Sequence, residues 1–366
     1  MYLINFKRKG YETMSKNTAR FFLGANSKSG FYSLYDGFTD PAAGDFLWVL
    51  KGGPGCGKST FMKRIGAAGE DAGEAVEYIH CSGDPDSLDG VYLPAHRIAY
   101  VDGTAPHVIE AVYPGAASLY LDLGSYFDAA ALSVHLPEIM ELNRRYKACY
   151  ADAYRLLSAG AALLPKNVPG LCGAAQMEKI DKKLAGLAAR ELPRQQKPGT
   201  LKKRFLSAWS CAGHMTLTDT LHTYADRVYL LDNDLGLGNN YLARLAEIAV
   251  ERGYDVILCP DPLEPEKSEA LILPERGIAF FAAEQGSAEV RDYYRHIRLD
   301  ALVEPEDRAA LRKRKRESGM LLSEAVTVLA GAKRLHDALE DIYHPHVNFE
   351  GVSALAEEHI DWIFGA

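Results

Sequence analysis

The chain lacks paired cysteines. Its six, Cys56, Cys81, Cys149, Cys172, Cys211 and Cys259, are scattered without CxxC spacing, which excludes a zinc ribbon and a disulfide framework. No apolar run approaches the ~18 residues that cross a bilayer, and no signal-peptide pattern opens the chain. No membrane partner is expected, and the expected location is cytoplasmic. Basic residues are in deficit, 41 against 49 acidic, for a formal net charge of -8. That balance argues against a protein that coats nucleic acid, because phosphate backbones are held by basic surfaces. Two local runs, Lys202-Lys203-Arg204 and Arg312-Lys313-Arg314-Lys315-Arg316, are expected to be solvated faces or linker.

Glycine is plentiful, with 32 residues, and the stretch KGGPGCGKST (residues 51–60) concentrates it. Gly52, Gly57, Lys58 and Ser59 meet the pattern Gly-x4-Gly-Lys-Ser/Thr, which a chain this long matches by chance with a probability on the order of one percent. The apolar FLWVL before it reads as a buried strand and FMKRI after it as the first turns of a helix. In that context Gly52, Gly53, Gly55 and Gly57, with Pro54 and Cys56 between them, curl into a nest of N–H groups at a helix N-terminus. Lys58 is then expected to reach the β and γ phosphates of a nucleoside triphosphate, Ser59 to ligate Mg2+, and Thr60 to approach the α phosphate. The competing reading is a glycine-rich turn with an exposed lysine.

The region around the loop recurs. RFFLGANSKSGFYSL matches RFLSAWSCAGHMTL, with Gly30 on Gly213, and the loop block meets RVYLLDNDLGLGNNYLARL, with Gly55 and Gly57 on Gly236 and Gly238. The match runs on through Asp84-Pro85 and Asp261-Pro262. It predicts two halves of about 180 residues, each an α/β domain of the P-loop NTPase type with a mostly parallel sheet and an appended helical hairpin. The expected bounds are a disordered leader over 1–19 with Met14 as an alternative start, a first domain over 20–190, a linker over 191–203 and a degenerate second domain over 204–366. Helices are expected over 136–164, 177–189, 311–343 and 352–364. This alignment sets Asn239 against Lys58 and Asn240 against Ser59, which leaves one working site per chain.

Asp102 ends the strand RIAYVD, where an acidic residue holds magnesium through water in such sheets; a plain turn aspartate is the alternative. Asp84 and Asp89 follow the second strand, at the edge where open α/β sheets bind ligands, although Asp84 before a proline also suits an Asx turn. His80 and His107 lie near the loop as candidates for structural roles. Arg144, Arg145 and Lys147 offer a lid, or a solvated helix face. His336, Glu340 and His344 share one helical face at metal-ligand spacing, with an ordinary amphipathic helix as the alternative.

The loop, the repeat and the blocks FFLGANSKSG and HCSGDPDSLDG together resemble an uncharacterised family of bacterial tandem P-loop ATPases, from Arg20 onward. The resemblance implies ATP binding and a duplicated fold, without a substrate. It also implies a recognisable second loop, and NDLGLGNN departs from that. Three functions follow as expectations: an ATPase that switches the geometry of its halves, a kinase for a small metabolite or nucleotide, or a sensor that binds ATP and barely turns it over. The protein partner or phosphoryl acceptor is left open.

Overall fold

The computed structural model describes residues 18–105, 108–164, 172–284, 292–303 and 308–365; His107 and most of the expected leader lie outside them. Thr18 and Ala19, expected in the leader, open the first strand.

Two six-stranded mixed sheets form the frame. The first contains β1 (Thr18–Phe22), β4 (Phe46–Lys51), β5 (Val76–His80), β6 (Leu88–Leu93), β7 (Ile98–Asp102) and β8 (Ser118–Asp122), in the order β1-β5-β6-β7-β4-β8. The second contains β9 (Leu201–Lys203), β12 (Arg227–Asp232), β13 (Val256–Pro260), β14 (Ser268–Leu273), β15 (Ile278–Ala283) and β16 (Arg295–Ile297), in the order β9-β13-β14-β15-β12-β16. The orders correspond strand for strand. Each half also has a small hairpin, β2 (Gly24–Ser27) with β3 (Gly30–Ser33) and β10 (Ser207–Ser210) with β11 (Gly213–Thr216).

In each sheet three pairings are parallel and two antiparallel, the latter on either side of β6 and of β14. The expectation of mostly parallel strands holds in that limited sense. The antiparallel strand has a simple cause: β5 ends at His80 and β6 begins at Leu88, and a parallel crossover needs a dozen residues or more.

The helices show why the chain folds as one piece. Helix α1 (Lys58–Asp71) follows β4, α2 (Ala129–Ser133) follows β8, and the long α3 (Leu136–Leu163) and α4 (Ala174–Glu191) complete the first half. The second half has α5 (Asp219–Tyr224), α6 (Leu237–Glu251), α7 (Arg308–Tyr343) and α8 (Phe349–Phe364). The hairpins are not appended to their own sheets as expected. Instead α3 lies antiparallel along α7, with Ser318 Oγ donating to the Gly160 carbonyl at 2.8 Å and the Tyr146 and His336 rings 5.8 Å apart. The terminal helices are exchanged. Helix α8 puts Val352, Ala356 and Ile363 into one core with Phe61, Met62 and Ile65 of α1, while α4 puts Ile180, Leu184 and Leu187 into the core of Tyr241, Leu242 and Leu245 of α6. Amphipathic helices specify that an apolar face is covered, not by which sheet.

The inner faces of the sheets share a third core. Val49, Ile79, Ala99 and Val101 meet Val228, Ala270, Ile272, Ala279 and Phe281 there, and the alternate residues of the same strands face outward to the helices. Phe22 and Phe205 exchange two backbone hydrogen bonds of 2.9 Å across the junction, so an approximate two-fold axis passes between them. The expected linker is structured as well. Leu192 is buried, the Tyr254 hydroxyl donates to the Pro193 carbonyl at 2.7 Å, and residues 201–203 form β9. Arg204, expected on a solvated run, is fully buried: it bonds Glu77 at 2.6 Å and the carbonyls of Gly37, Phe38 and Lys203.

Candidate functional site

The glycine-rich loop joins the carboxyl end of β4 to the first turn of α1. Gly55 (φ 67°) and Gly57 (φ 92°) hold left-handed backbone, which a side chain resists, and Gly57 is the residue from which α1 starts. The first N–H groups of a helix have no intrahelical partner and carry its positive dipole end. Here that end faces back onto the loop.

Lys58 and Asp102 come together at this point. Parallel pairing of β4 with β7 sets Leu50 opposite Asp102, and Lys58 Nζ lies 3.7 Å from the Asp102 carboxylate. Nζ also donates to the carbonyls of Gly52 at 3.0 Å and Gly53 at 2.8 Å. The other Asp102 oxygen accepts from the N–H and hydroxyl of Thr104, at 2.9 and 2.6 Å, which fixes the carboxylate's direction. Ser59 Oγ accepts the N–H of Leu88 at 3.0 Å; a hydroxyl has two lone pairs, so one is left. Cys56 is buried, and burial raises its thiol pKa although Lys58 beside it opposes the rise. It is a packing residue, not a reactive thiol.

The loop is covered by the other half. Gly53 faces Phe127 and Tyr343, Gly55 lies against the backbone of Glu340, and Gly57 against Val352 and Phe349. A Cβ built on Gly55 would stand 3.4 Å from the Glu340 carbonyl. Apart from Phe127 of the first half, these contacts are made from about 290 residues away, so no local pattern in the sequence announces them. Lys51 is a further residue the motif does not specify. Its Nζ ties the segment after β7 to the loop by donating to the carbonyls of Gly103 and Ile109, at 3.0 and 2.8 Å.

The second loop differs by more than substitution. Asn239 Nδ2 donates to the carbonyl of Ser268, the first residue of β14, just as Ser59 bonds Leu88, the first residue of β6. The buried stripe 61, 62, 65, 66, 69 of α1 likewise recurs as 241, 242, 245, 246, 249 in α6. Asn239 therefore stands at the serine's station, and the lysine's station is Gly238. The sequence alignment was one residue off because the second loop is one residue shorter. A Cβ on Gly238 would lie 2.9 Å from Ala282 Cβ and 2.9 Å from the Asp232 carbonyl, so no side chain fits where Lys58 stands, and Ala282 replaces Asp102. The nearby cation comes from α7 instead, Lys315 pairing with Asp234 at 2.8 Å and Glu284 at 3.2 Å.

The other sequence candidates separate. Asp84 pairs with Lys333 at 3.3 Å. Asp89 is buried and accepts the Tyr35 hydroxyl at 2.8 Å; its counterpart Glu269 is buried too and accepts from Ser207, a structural pair in each half. His80 Nδ1 lies 2.7 Å from the Pro85 carbonyl, and burial lowers its pKa. Arg144 is exposed and engaged with Glu141 on its own helix. His336, Asp337 and Glu340 bring one ligand-type atom each within 4.8 Å of one another, while His344 turns away to the Phe349 ring at 4.5 Å.

Comparison with protein-family models, curated proteins and solved structures gives no match. The functional reading rests on the chain's own residues. No helix among the described residues is long and apolar enough to cross a membrane.

Proposed function

We propose that the chain binds Mg-ATP at residues 52–60, hydrolyses it, and uses the cycle to alter the fit between its two halves. The observation that carries this reading is the approach of Lys58 to Asp102 at 3.7 Å beside a left-handed glycine turn at a helix start. A P-loop phosphate site needs that cation, that acid and that backbone. In the proposal Lys58 leaves the carbonyls of Gly52 and Gly53 for the phosphate oxygens. The free lone pair of Ser59 and the carboxylate of Asp102 hold Mg2+, whose chemistry is to neutralise charge on the transferring phosphoryl group. Thr104 keeps Asp102 aimed, and Phe127, Tyr343 and Phe349 line the loop, leaving water to enter from the open side as the nucleophile.

We also infer that the halves arose by duplication and that the second lost its chemistry. Matching strand orders, matching buried stripes and the left-handed Arg97 (φ 55°) and Gly277 (φ 58°) at equivalent stations before β7 and β15 support that. The coupling follows from packing: α7 and α8 of the second half rest on the loop of the first, so a ligand that reshapes the loop acts on them.

The test is phosphate release from Mg-ATP without any added acceptor. Wild type is expected to release phosphate and Asp102→Asn to lose about 10–100-fold in rate. ADP formed only with an added metabolite, the phosphoryl group passing to that acceptor and no phosphate being released, would make the chain a kinase, and binding without turnover a sensor.

A further inference from the structure

The two flanks of helix α4 differ in charge and in surroundings. On one, Asp181 pairs with Arg244 of α6 at 2.7 Å. On the other, Lys179 and Lys183 stand one turn apart, both exposed, on the side of β16, the edge strand of the second sheet. The C-terminal end of α4 reaches that edge through Arg227, which pairs with Glu191 at 3.1 Å and lies 5.5 Å from the centre of the Tyr294 ring. Its N-terminal end shares a core with Ile297 of β16, with Leu299 and with Leu311 of α7. The exposed Arg295, Arg298 and Arg312 continue along this edge, and none of the five cations pairs with a carboxylate among the described residues. We propose that this stripe binds single-stranded nucleic acid. The inference does not depend on what the glycine-rich loop holds.

Charge and shape together choose this partner. A guanidinium presents a planar fork that holds two phosphate oxygens at once, and three of the five cations are arginines. Neighbouring carboxylates are already engaged: Glu178 pairs with Lys182, Glu191 with Arg227, and Asp300 accepts the N–H of Asp234. Tyr293 and Tyr294, 44% and 60% exposed, precede Arg295 and offer rings on which bases stack whatever their sequence. An acidic protein segment would use the cations and leave those rings idle. The chain's net charge is -8, so binding is confined to this face.

The first half supplies the internal control. The buried stripe 180, 184, 187, 191 of α4 recurs as 352, 356, 359, 363 in α8, which sets Gly351 and Leu355 at the stations of Lys179 and Lys183. Parallel pairing puts Arg295 opposite Tyr229 and Leu119 opposite Trp48, each the third residue of its strand. Leu119 and Asp122 therefore occupy the stations of Arg295 and Arg298. The same scaffold carries no cation at these four places, so the fold itself does not require them.

Fluorescence anisotropy of a labelled single-stranded oligonucleotide of mixed sequence, with the full chain and no added nucleotide, tests the proposal. Each neutralised phosphate contributes about -0.7 to the log–log salt slope, so five cations predict an affinity that falls about a hundredfold between about 50 and 200 mM salt. Arg295→Glu combined with Arg298→Glu should lose about tenfold or more, and Tyr293→Ala about fivefold or more. Arg145→Glu combined with Lys147→Glu, the same charge change at exposed residues of α3, should bind as wild type does. All these sites are exposed, so the variants should keep the wild-type melting temperature. Equal loss in the two double variants would reduce binding to overall charge and overturn the stripe. Tyr293→Ala without effect, or polyglutamate bound as tightly as the oligonucleotide, would make the partner an acidic protein and overturn the proposal, as would wild type that binds no oligonucleotide at about 50 mM salt.

Discussion

Lys58 and Asp102 stand 3.7 Å apart on the first half, and the same two stations on the second half are filled by Gly238 and Ala282, packed so closely that a Cβ on the glycine would reach 2.9 Å from the alanine Cβ. The two sites have opposite tolerances. Lys58→Ala should leave the melting temperature without ligand nearly unchanged, since Nζ bonds two loop carbonyls, the Cys56 sulfur weakly at 3.8 Å and a part-exposed carboxylate. Gly238→Ala should destabilise by about 1–3 kcal/mol through overpacking. Thermal melts of the two variants check this, and a silent Gly238→Ala would contradict the station assigned to it.

The junction between halves depends on a buried ion pair. Burial would raise the carboxyl of Glu77, but Arg204 and Lys202 beside it hold its pKa below the ordinary 4.5. A carboxyl with a depressed folded value contributes stability above its unfolded value and loses it as the pH falls through the folded one. Arg204→Met should cost about 3–5 kcal/mol at neutral pH by leaving Glu77 buried with only Lys202 for a cation. The gap to wild type should narrow below pH 4.5, as Glu77 is protonated. Denaturant unfolding at pH 7 and at pH 4 measures it; a gap independent of pH would contradict the pairing.

His359 fastens α8 to the first sheet. Its Nδ1 lies 2.8 Å from the Tyr100 hydroxyl, and Trp48, Phe61 and Trp362 surround its ring. Burial holds its pKa below 6.5, so the unfolded chain takes up a proton that the folded one resists. Stability from this residue is complete above pH 6.5 and declines as the pH falls from there to the folded value, with a slope of at most about 1.4 kcal/mol per pH unit. His359→Phe should flatten that part of the stability profile. An unchanged slope would place the acid sensitivity elsewhere.

Exchange of the terminal helices predicts that the halves need each other. Fragments 1–196 and 197–366 should each expose apolar surface when alone, because the first lacks α8 and the second lacks α4, and should regain cooperative melting when mixed. Dye binding and melting of the fragments, separate and combined, decide the matter. Two independently stable fragments would contradict the exchange.

That exchange marks where the sequence stopped being informative. Helices expected over 136–164 and 311–343 match α3 and α7 to within three residues, since their apolar periodicity is local. Lys58, Ser59 and Asp102 were legible for the same reason, each fixed by a motif or a strand end. Which sheet an amphipathic helix covers depends on contacts made hundreds of residues away, so α8 over the loop was not. The pairing of Lys58 with Asn239 failed because two glycines match equally well in a loop one residue shorter, and only the bonds to Leu88 and Ser268 separate the registers. Arg204 looked like part of a solvated run because its acceptors beyond the neighbouring Lys203 come from two distant segments, Glu77 and Gly37–Phe38.

The measurement closest to the central claim is the thermal unfolding of wild type and Lys58→Ala with and without Mg-ATP. At a ligand concentration a hundredfold above its dissociation constant, wild type should gain about 2.7 kcal/mol, a rise of a few degrees, and Lys58→Ala should gain nothing. An equal gain in both proteins, or none in either, would contradict a nucleotide site at residues 52–60.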